Sequence, residues 1–312
     1  MVLSMNNLSR VKRKRAMSAL VSYTLLLNAA AWAAAFFMAA RPHVQPLPSA
    51  AAPTRPWVDP EEARAGADLA NPQSPLLVTH ERLRGVPFVL IEGGVAQTRR
   101  AALRCGVNQF VKDAGAQAGL NGTFFADASV QGTDHILIGP TLCGNEKQAV
   151  FNTADNAAAL MGRPLVLLSP GRTRILPYNP KTMATQSTFA SRLPGLTDAF
   201  LGGVWLVHNS AAADESQIAA FHIHDAEDPR RRAFFCLLPD GRPALGATTY
   251  VTPSATLARA LQDAGVREAV LLDSGFSTSL VYGRKILVTG HTSPGIPSRP
   301  VPHAVVLFGK PA

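Results

Sequence analysis

Asp273 is the residue whose type and position in this sequence best suit catalysis. It follows an apolar run, residues 269–272, that is predicted to form a buried strand, and a serine and a glycine come next. A rigid strand aims the carboxylate that follows it, and a glycine lets a ligand approach the backbone closely. Such a carboxylate can act as a base or a nucleophile, although Asp-Ser-Gly is also ordinary turn chemistry. Nearby Ser277, Thr278 and Ser279 add hydroxyl groups that can bind sugar or phosphate oxygens.

Four arginines and one asparagine are further candidates for a polar site. Arg230, Arg231 and Arg232 follow an Asp-Pro pair, and Arg299 lies near the C-terminus between a serine and a proline. A planar guanidinium is a natural partner for a phosphate group, but the same residues can equally be a solvated surface. Asn121, in the run Asn-Gly-Thr-Phe-Phe, is either a site residue or the asparagine of a tight turn.

A metal site has one candidate in the sequence. His222 and His224 lie two residues apart and would share one face of a strand. No third set of ligands is identifiable, and no Cys-x-x-Cys pair occurs among Cys105, Cys143 and Cys236. We therefore predict no metal and no other cofactor. Two of the cysteines could pair outside the cytoplasm, Cys105 and Cys143 being nearest in sequence, and one thiol is expected to be a buried apolar group.

Two segments of the chain share a pattern that places polar residues at strand ends. In the first, residues 108–114 are predicted to form a short helix that ends at Gly115, followed by an apolar stretch and Asn121. In the second, Pro253 opens a helix with apolar side chains at helical spacing, and a buried strand then leads to Asp273. Further strands are predicted at residues 77–79, 88–91, 165–168, 203–207 and 233–238. Because helices are few, the predicted class is α+β, a single domain with a mixed β-sheet.

The N-terminus has the composition of an export segment. Five basic residues and no acid occur in residues 1–15, and the following 25 residues, 16–40, carry no charge. A basic flank before an apolar run is typical of a signal peptide or of an uncleaved transmembrane signal anchor. The length of the run favours an inner-membrane anchor, and Met38-Ala39-Ala40 offers a cleavage site for the alternative. Either way, the residues after 41 are expected outside the cytoplasm, in the cell envelope, the periplasm or the medium.

The rest of the chain divides into a linker and a folded domain. Residues 41–60 contain six prolines and breaker-rich sequence continues to residue 75, so 41–75 is predicted to be an extended linker and 76–312 the domain. The net charge of +9 would be compatible with nucleic-acid binding, but the first 15 residues carry five of these charges. Nucleic acid is therefore not an expected partner. With 47% apolar and 16% charged residues, the domain can bury a substantial core.

Taken in order along the chain, these motifs resemble the phosphodiester glycosidase family. The blocks that carry the resemblance are 121–125 (Asn-Gly-Thr-Phe-Phe), 202–206 (Gly-Gly-Val-Trp-Leu), 229–235 (Pro-Arg-Arg-Arg-Ala-Phe-Phe), 272–278 (Leu-Asp-Ser-Gly-Phe-Ser-Thr) and 298–300 (Ser-Arg-Pro). The resemblance extends over roughly residues 76–309, and the order and spacing of the blocks are more specific than any single block. Two positions depart from the family pattern. Ser274 stands where a glycine is usual, and the arginine of the third block is either Arg232 or Arg231.

The resemblance implies a hydrolase that cleaves a sugar-1-phosphodiester in envelope or exported glycans, with a carbohydrate or glycosyl-phosphate substrate. The catalytic residues that it implies are Asp273, Asn121, Arg232 and Arg299. The substrate contacts that it implies are Gly122, Phe125, Gly202, Gly203, Arg231, Ser274, Gly275, Ser277 and Thr278. Two other functions are alternatives: a non-catalytic glycan-binding or polysaccharide-assembly protein on the same fold, and a metal-dependent phosphoesterase that uses His222 and His224.

Overall fold

Strands make up most of the described part of the chain. The computed structural model describes residue 72 and residues 74–311, apart from gaps at 128–134, 145, 147, 153–156, 224–225 and 294. These residues fall within one unit, Pro56–Ala312. The predicted export segment, nearly all of the predicted linker and His224 lie outside the described residues. Among those described, no helix is long and apolar enough to cross a membrane.

Nineteen strands and five helices are described. The strands are β1 (Leu77–Leu83), β2 (Val86–Glu92), β3 (Val95–Cys105), β4 (Ala118–Asn121), β5 (Phe125–Asp127), β6 (His135–Leu137), β7 (Gly139–Leu142), β8 (Val150–Asn152), β9 (Pro164–Ser169), β10 (Arg172–Pro177), β11 (Asp198–Leu201), β12 (Trp205–His208), β13 (Ala211–Ala212), β14 (Ala233–Leu237), β15 (Pro243–Thr248), β16 (Glu268–Leu271), β17 (Ser279–Tyr282), β18 (Lys285–Thr289) and β19 (Val301–Phe308). The helices are α1 (Val107–Ala114), α2 (Ala157–Leu160), α3 (Gln186–Ala190), α4 (Glu215–Ala219) and α5 (Ser254–Asp263). Mostly β with few helices, the described domain is consistent with the predicted α+β class.

The strands form three large sheets and one hairpin. A seven-stranded sheet has the order β1-β2-β15-β14-β16-β12-β13, and two five-stranded sheets have the orders β10-β9-β11-β7-β8 and β18-β17-β4-β19-β3. Among the described strands, β5 pairs only with β6. Every pairing between these named strands is antiparallel, so the predicted mixed sheet was wrong for this part of the chain. The error arose because strand direction depends on which distant segments pair, and local sequence patterns do not specify that.

Both predicted helix–glycine–strand units are present. α1 ends at Gly115 in the left-handed conformation (φ 65°), and β4 follows it at the centre of its five-stranded sheet. α5 is followed by Gly265, also left-handed (φ 77°), and by β16 between β14 and β12. α5 begins at Ser254, one residue later than the sequence predicted. All four residues of each central strand are buried, so these strands are rigidly positioned.

Apolar packing holds these units in place. Phe110 and Val111 of α1 pack against Val306 and its neighbours on the five-stranded sheet. Leu257 and Leu261 of α5 belong to the main core, which also includes side chains of β14, β16 and β17. Each such fully buried side chain contributes about 1.5–3 kcal/mol to folding. The two strand ends that follow the helices therefore have well-defined positions.

The three cysteines are free thiols. Cys143 and Cys236 are buried, and Cys105 is partly buried. The pairing of Cys105 with Cys143 that the sequence left open is therefore not formed. Burial raises the pKa of Cys143 to about 12, so this thiol stays protonated and unreactive at neutral pH.

Candidate active site

Asp273 lies where the chain leaves the seven-stranded sheet and enters a five-stranded one. β16 ends at Leu271, and residues 273–278 lead into β17, which pairs with β4. The backbone N–H of Asp273 donates to the carbonyl of Gly122 at the end of β4, at 3.1 Å. The ends of β16 and β4 are thus joined directly. This junction fixes the position of the carboxylate from both sheets.

The Asp273 carboxylate contacts Arg299. Nη2 of Arg299 donates to Oδ2 of Asp273 at 3.1 Å, and Nε of Arg299 donates to Oγ of Ser277 at 2.6 Å. Only 11% of the Asp273 side chain is exposed, whereas 42% of the Arg299 side chain is exposed. One side of the guanidinium therefore binds the carboxylate and the hydroxyl, and the exposed remainder can donate to an anionic ligand.

The environment of Asp273 perturbs its ionisation. Burial raises the pKa of Asp273, while a hydrogen bond with Ser277 and the charge of Arg299 partly oppose that rise. A buried carboxyl with a specific cationic partner at an opening to solvent is characteristic of acid–base and nucleophilic groups. The carboxylate therefore has the environment of a reactive group.

Three hydrogen bonds fix the segment that carries Arg299. The backbone N–H of Arg299 donates to the carbonyl of Phe276 at 2.8 Å. The hydroxyl of Ser298 donates to the carbonyl of Thr278 at 2.6 Å and accepts from the N–H of Gly290 at 3.0 Å. The guanidinium is thereby held against the short 3-10 turn at Gly275–Ser277 that follows Asp273.

Asn121 braces this junction from inside the protein. It is fully buried; its Nδ2 donates to the carbonyl of Asp273 at 2.5 Å, and its Oδ1 accepts from the N–H of Ser279 at 3.0 Å. Both ends of the amide are therefore used by the backbone on either side of the 3-10 turn. The structure places Asn121 beneath Asp273 rather than on a surface that a sugar can reach.

The three consecutive arginines have different environments. Arg232 is 1% exposed, and its guanidinium donates to the carbonyls of Thr252, Ala226 and Asp228. Its charge is thus surrounded by backbone carbonyls inside the protein. Arg231 is partly buried, and its Nη1 donates to the carbonyl of Thr289 at 2.8 Å, on the strand that leads towards Gly290.

Arg230 and the backbone of Arg231 lie against the turn after Asp273. A side chain on Gly275 would meet the Arg230 guanidinium at 3.2 Å, and Gly275 itself has φ 66°, a conformation that favours glycine. The carbonyl of Arg231 accepts from the N–H of Gly275 at 2.9 Å and from the hydroxyl of Thr278 at 2.9 Å. Arg231 therefore supports the turn, and Thr278 is a buried brace rather than an exposed contact.

Ser274 is partly buried, and its hydroxyl is bound by the backbone. Its hydroxyl donates to the carbonyl of Leu272 at 2.9 Å and accepts from the N–H of Ala233 at 3.3 Å. The side chain that replaces the usual glycine of the family pattern is thus bonded back onto the ends of β16 and β14.

Three glycines of the resemblance are packing positions. A side chain on Gly202 would meet Pro164 at 3.0 Å, and one on Gly203 would meet the ring of Phe124 at 2.5 Å. At Gly122, a side chain would occupy the position of the His303 ring, 1.9 Å from Nδ1. At all three positions the absence of a side chain allows close packing around the junction.

His303 lies in the same buried region, and no motif in the sequence pointed to it. It is 1% exposed, and its Nδ1 accepts from the N–H of Thr123 at 3.1 Å. Burial, with a contribution from the charge of Arg100, lowers the pKa of His303 to about 3. The ring is therefore neutral, and it braces the backbone that follows Asn121.

Two aromatic side chains flank the Asp273–Arg299 pair. The Arg299 guanidinium lies over the ring of Phe125, with Cζ 4.6 Å from the ring centre. Arg104, which the sequence did not single out, lies near the same ring, with Cζ 5.7 Å from its centre. Phe276, next to the turn glycine, is 60% exposed and stacks on His291 with ring centres 4.5 Å apart. Exposed aromatic faces are suitable platforms for sugar rings.

No group of three or more metal-ligating side chains occurs among the described residues. His222 is exposed and has φ 52°, and its predicted companion His224 is not described. The metal-dependent alternative therefore gains no support from the part of the chain that the structure describes.

Comparisons with known proteins agree with this architecture. The model of the phosphodiester glycosidase family matches residues 114–308, more than half of the chain. The catalytic domain of zebrafish N-acetylglucosamine-1-phosphodiester alpha-N-acetylglucosaminidase, auto-inhibited by its pro-peptide, is similar in structure, with TM-score 0.57 and 14% identity. That alignment covers 78% of this chain and 87% of the zebrafish domain.

A hypothetical protein from Synechocystis is also similar, with TM-score 0.50, 13% identity, and coverage of 75% of this chain and 62% of the other. A search of curated proteins finds no match.

The region matched by the family model contains Asn121, Asp273 and Arg299. The described fold is shared with the zebrafish catalytic domain. The chain therefore belongs to the phosphodiester glycosidase family. Membership supports a hydrolase of the glycosidase type.

Proposed function

We propose that this protein hydrolyses the bond between an anomeric carbon and the phosphate of a sugar-1-phosphodiester. The observation that carries the proposal is the pairing of a nearly buried carboxylate, Asp273, with the partly exposed guanidinium of Arg299, at 3.1 Å within the matched family region. The carboxylate acts at the anomeric carbon, and the guanidinium holds the phosphate. The zebrafish relative is named as an N-acetylglucosamine-1-phosphodiester alpha-N-acetylglucosaminidase, which agrees with this reaction class.

The chemistry needs only one well-placed carboxyl. Ordinary glycosidases use two, because the departing alcohol oxygen must be protonated. In a sugar-1-phosphodiester the departing group is a phosphomonoester, which leaves readily as an anion. A guanidinium that stabilises its developing charge can replace the acid. The anomeric C–O bond breaks, the oxygen of water becomes the new hydroxyl, and the products are a free sugar and a phosphomonoester.

Asp273 and Arg299 divide this work. Asp273 accepts a proton from the attacking water or attacks the anomeric carbon itself, and both routes give the same products. Arg299 keeps its contact with the carboxylate through Nη2, while its solvent-facing N–H groups donate to the phosphate. Phe276, exposed beside the turn, offers an aromatic face for the sugar ring.

Product identity tests the proposal most directly. The purified full chain is incubated with a panel of sugar-1-phosphodiesters, with and without a chelator, and the products are separated by chromatography. We expect free sugar and phosphomonoester, unaffected by the chelator. Release of sugar phosphate that the chelator abolishes would instead indicate the metal-dependent phosphoesterase. Binding without turnover of any substrate in the panel would indicate the glycan-binding alternative.

We also propose that the domain acts outside the cytoplasm, attached to the membrane through residues 16–40 or released after cleavage. Five basic residues followed by 25 uncharged ones support this placement. A reporter that is active only after export, fused after residue 75, should be active. The same fusion with residues 16–40 deleted should be inactive, and equal activity of both fusions would contradict the proposal.

A further inference from the structure

Ser277 is fully buried, and its hydroxyl bridges the two side chains of the proposed site. Its Oγ accepts from Nε of Arg299 at 2.6 Å, so its own hydrogen can be donated to a second group. The Asp273 carboxylate, which has a hydrogen bond with Ser277, is the acceptor for that hydrogen. Asp273 also accepts from Nη2 of Arg299 at 3.1 Å. The three side chains therefore form a closed ring of hydrogen bonds.

This ring occupies one edge of the Arg299 guanidinium. A guanidinium has five N–H donors in a planar arrangement, one on Nε and two on each Nη. The edge with the N–H of Nε and one N–H of Nη2 is filled by Ser277 and Asp273. Among the described residues, no other group accepts a hydrogen bond from this guanidinium. The end with Nη1 and the second N–H of Nη2 is therefore available for a ligand, and 42% of the side chain is exposed.

We propose that Ser277 is a positioning residue, which holds Arg299 so that Nη1 and Nη2 donate to two oxygens of one anionic group while Asp273 lies beside it. The phosphate of the substrate is that group, and this identification rests on the proposed function. Two parallel N–H···O bonds are a geometry in which arginine binds phosphate strongly. The two non-bridging oxygens of a phosphodiester match that geometry. The anomeric carbon would then lie towards the neighbouring edge, where Asp273 is held.

Ser277 acts on both functional groups through this arrangement. Two other contacts restrain Arg299, the ring of Phe125 at 4.6 Å from Cζ and the carbonyl of Phe276 that accepts the backbone N–H. Neither contact fixes the rotation of the guanidinium in its own plane, whereas a hydrogen bond from Nε does. Loss of the Ser277 hydroxyl would leave the charge of Arg299 in place but not its direction. The Asp273 carboxylate would at the same time lose a donor.

Titration of the Asp273 carboxyl by carbon NMR in the full chain tests this role without any substrate, and the resonance is assigned by its absence in Asp273→Asn. Ser277→Ala should raise the pKa of Asp273, because the hydrogen bond that lowers this pKa is lost. The charges at this junction, on Arg299 and Arg230, and the neutral His303 are kept in this variant. The rise in pKa can therefore be attributed to the hydroxyl.

The kinetics of the same variants provide a second measurement. Ser277→Ala should lower kcat about 10- to 100-fold, the range for losing one hydrogen bond to a charged group, with little change in KM. The acid limb of kcat/KM should move to higher pH. Ser277→Cys keeps a weaker donor and should give smaller changes, which can be measured if the alanine variant does not fold. Ser254→Ala is the matched control: Ser254 is also fully buried, its hydroxyl donates to the carbonyl of Ala226, and its loss should leave the acid limb unmoved.

The outcomes separate this inference from the proposed function. An unchanged pKa of Asp273 in Ser277→Ala, or an equal change in Ser254→Ala, would overturn the positioning role. A rise in KM alone would also overturn it, and would indicate that Ser277 contacts the substrate directly. If the pKa rises in Ser277→Ala although no phosphodiester in the panel is hydrolysed, the positioning of Asp273 by Ser277 stands and the proposed reaction fails.

Discussion

Two helix–glycine–strand units of this chain deliver a polar side chain to the same junction, and the two side chains are used in different ways. After α1 and β4, Asn121 is fully buried, and both ends of its amide bind backbone groups. After α5 and β16, Asp273 binds other side chains, Ser277 and Arg299, and keeps an exposed fraction of 11%. One strand end is closed to ligands, and the other is partly open.

The chemistry of the two groups explains the difference. An amide has one donor group and one acceptor, so backbone N–H and C=O groups can satisfy it completely without charge. A carboxylate accepts only, and burying its charge is costly unless a cation and hydrogen bonds compensate. Similar local folds therefore provide a brace in one case and, under the proposed function, a reactive group in the other. The following predictions test this distinction, beginning with the largest expected effect.

Asp273→Asn should lower kcat by about 10²–10⁴-fold, the contribution of a positioned acid–base group. Thermal stability should stay the same or rise, because the raised pKa of Asp273 means that folding disfavours its ionised form at neutral pH. Activity assays and thermal unfolding measure the two effects. Asp240→Asn is the matched control: Asp240 accepts the N–H of Arg242 in a turn at 3.0 Å, and asparagine can accept the same bond. The exposed ion pair with Arg242 that this control loses is worth at most about 1 kcal/mol. A fully active Asp273→Asn protein would mean that Asp273 is also only a turn former.

Substitution of Arg299 should mainly lower the activity, and substitution of Arg232 should mainly lower the stability. Arg299→Ala should lower kcat/KM by about 10²–10³-fold, because its side chain is 42% exposed and faces the site. Its cost in stability should be smaller than that of removing Arg232, because Asp273, whose pKa is already raised by burial, can take up a proton once its cation is lost. Arg232→Met should instead lower the free energy of unfolding by about 1.5–3 kcal/mol for each lost hydrogen bond from its buried guanidinium. Protein that remains folded should keep most of its kcat. Urea unfolding measures the stability of both variants, and steady-state kinetics measures their activity. A stable but inactive Arg232→Met protein would indicate that Arg232 takes part in catalysis, as the family resemblance implies.

Asn121→Ala should lower both the stability and the activity. It leaves the carbonyl of Asp273 and the N–H of Ser279 without their buried partner, at a cost of about 1–3 kcal/mol for each group. The kcat should fall as well, because Asp273 loses its support from β4. Asn108→Ala, an exposed position on α1, is the control and should change neither quantity. If Asn121→Ala raised KM alone, a direct contact with the sugar would be indicated instead.

The pH profile should report the environment of Asp273. Activity that needs the carboxylate falls as pH decreases through its pKa, and burial places that pKa above the ordinary aspartate value. Because the charge of Arg299 lowers the pKa of Asp273, residual activity in Arg299→Ala should be lost at a higher pH than in the unmodified protein. Profiles of kcat/KM against pH measure the apparent pKa of the acid limb in both proteins. A shift of this limb to lower pH in Arg299→Ala would contradict the assignment of the limb to Asp273.

Local sequence patterns predicted much of the fold. Residues 108–114 form the predicted helix within one residue, and the strands predicted at 165–168 and 233–238 correspond to β9 and β14. These elements follow from apolar spacing and from glycines that need a left-handed conformation. Whether the strands pair parallel or antiparallel was not predictable in this way, because it depends on contacts between distant segments.

The candidate site was predictable only in part. Asp273 could be singled out because a buried strand leads directly to it. The environment of Arg232 could not, since three consecutive arginines look alike in sequence and differ only in which elements surround them. Arg104 and His303 gave no signal at all. Arg104 comes near the site only because β3 pairs with β19, almost 200 residues further along the chain.

Ser274→Gly should have the smallest effect, although Ser274 departs from the family pattern. Its hydroxyl bonds to the carbonyl of Leu272 and the N–H of Ala233, and its backbone is extended (φ −126°), so no glycine is required there. The change should cost about 0.5–1.5 kcal/mol for the lost hydrogen bonding. Because the side chain is directed back onto β16 and β14, kcat/KM should stay within about twofold of the unmodified value, far below the tenfold that 1.4 kcal/mol would produce. A rise of tenfold or more in the kcat/KM of Ser274→Gly would show that the serine obstructs the substrate. The end of β16 would then be less open than the Asp273–Arg299 geometry indicates.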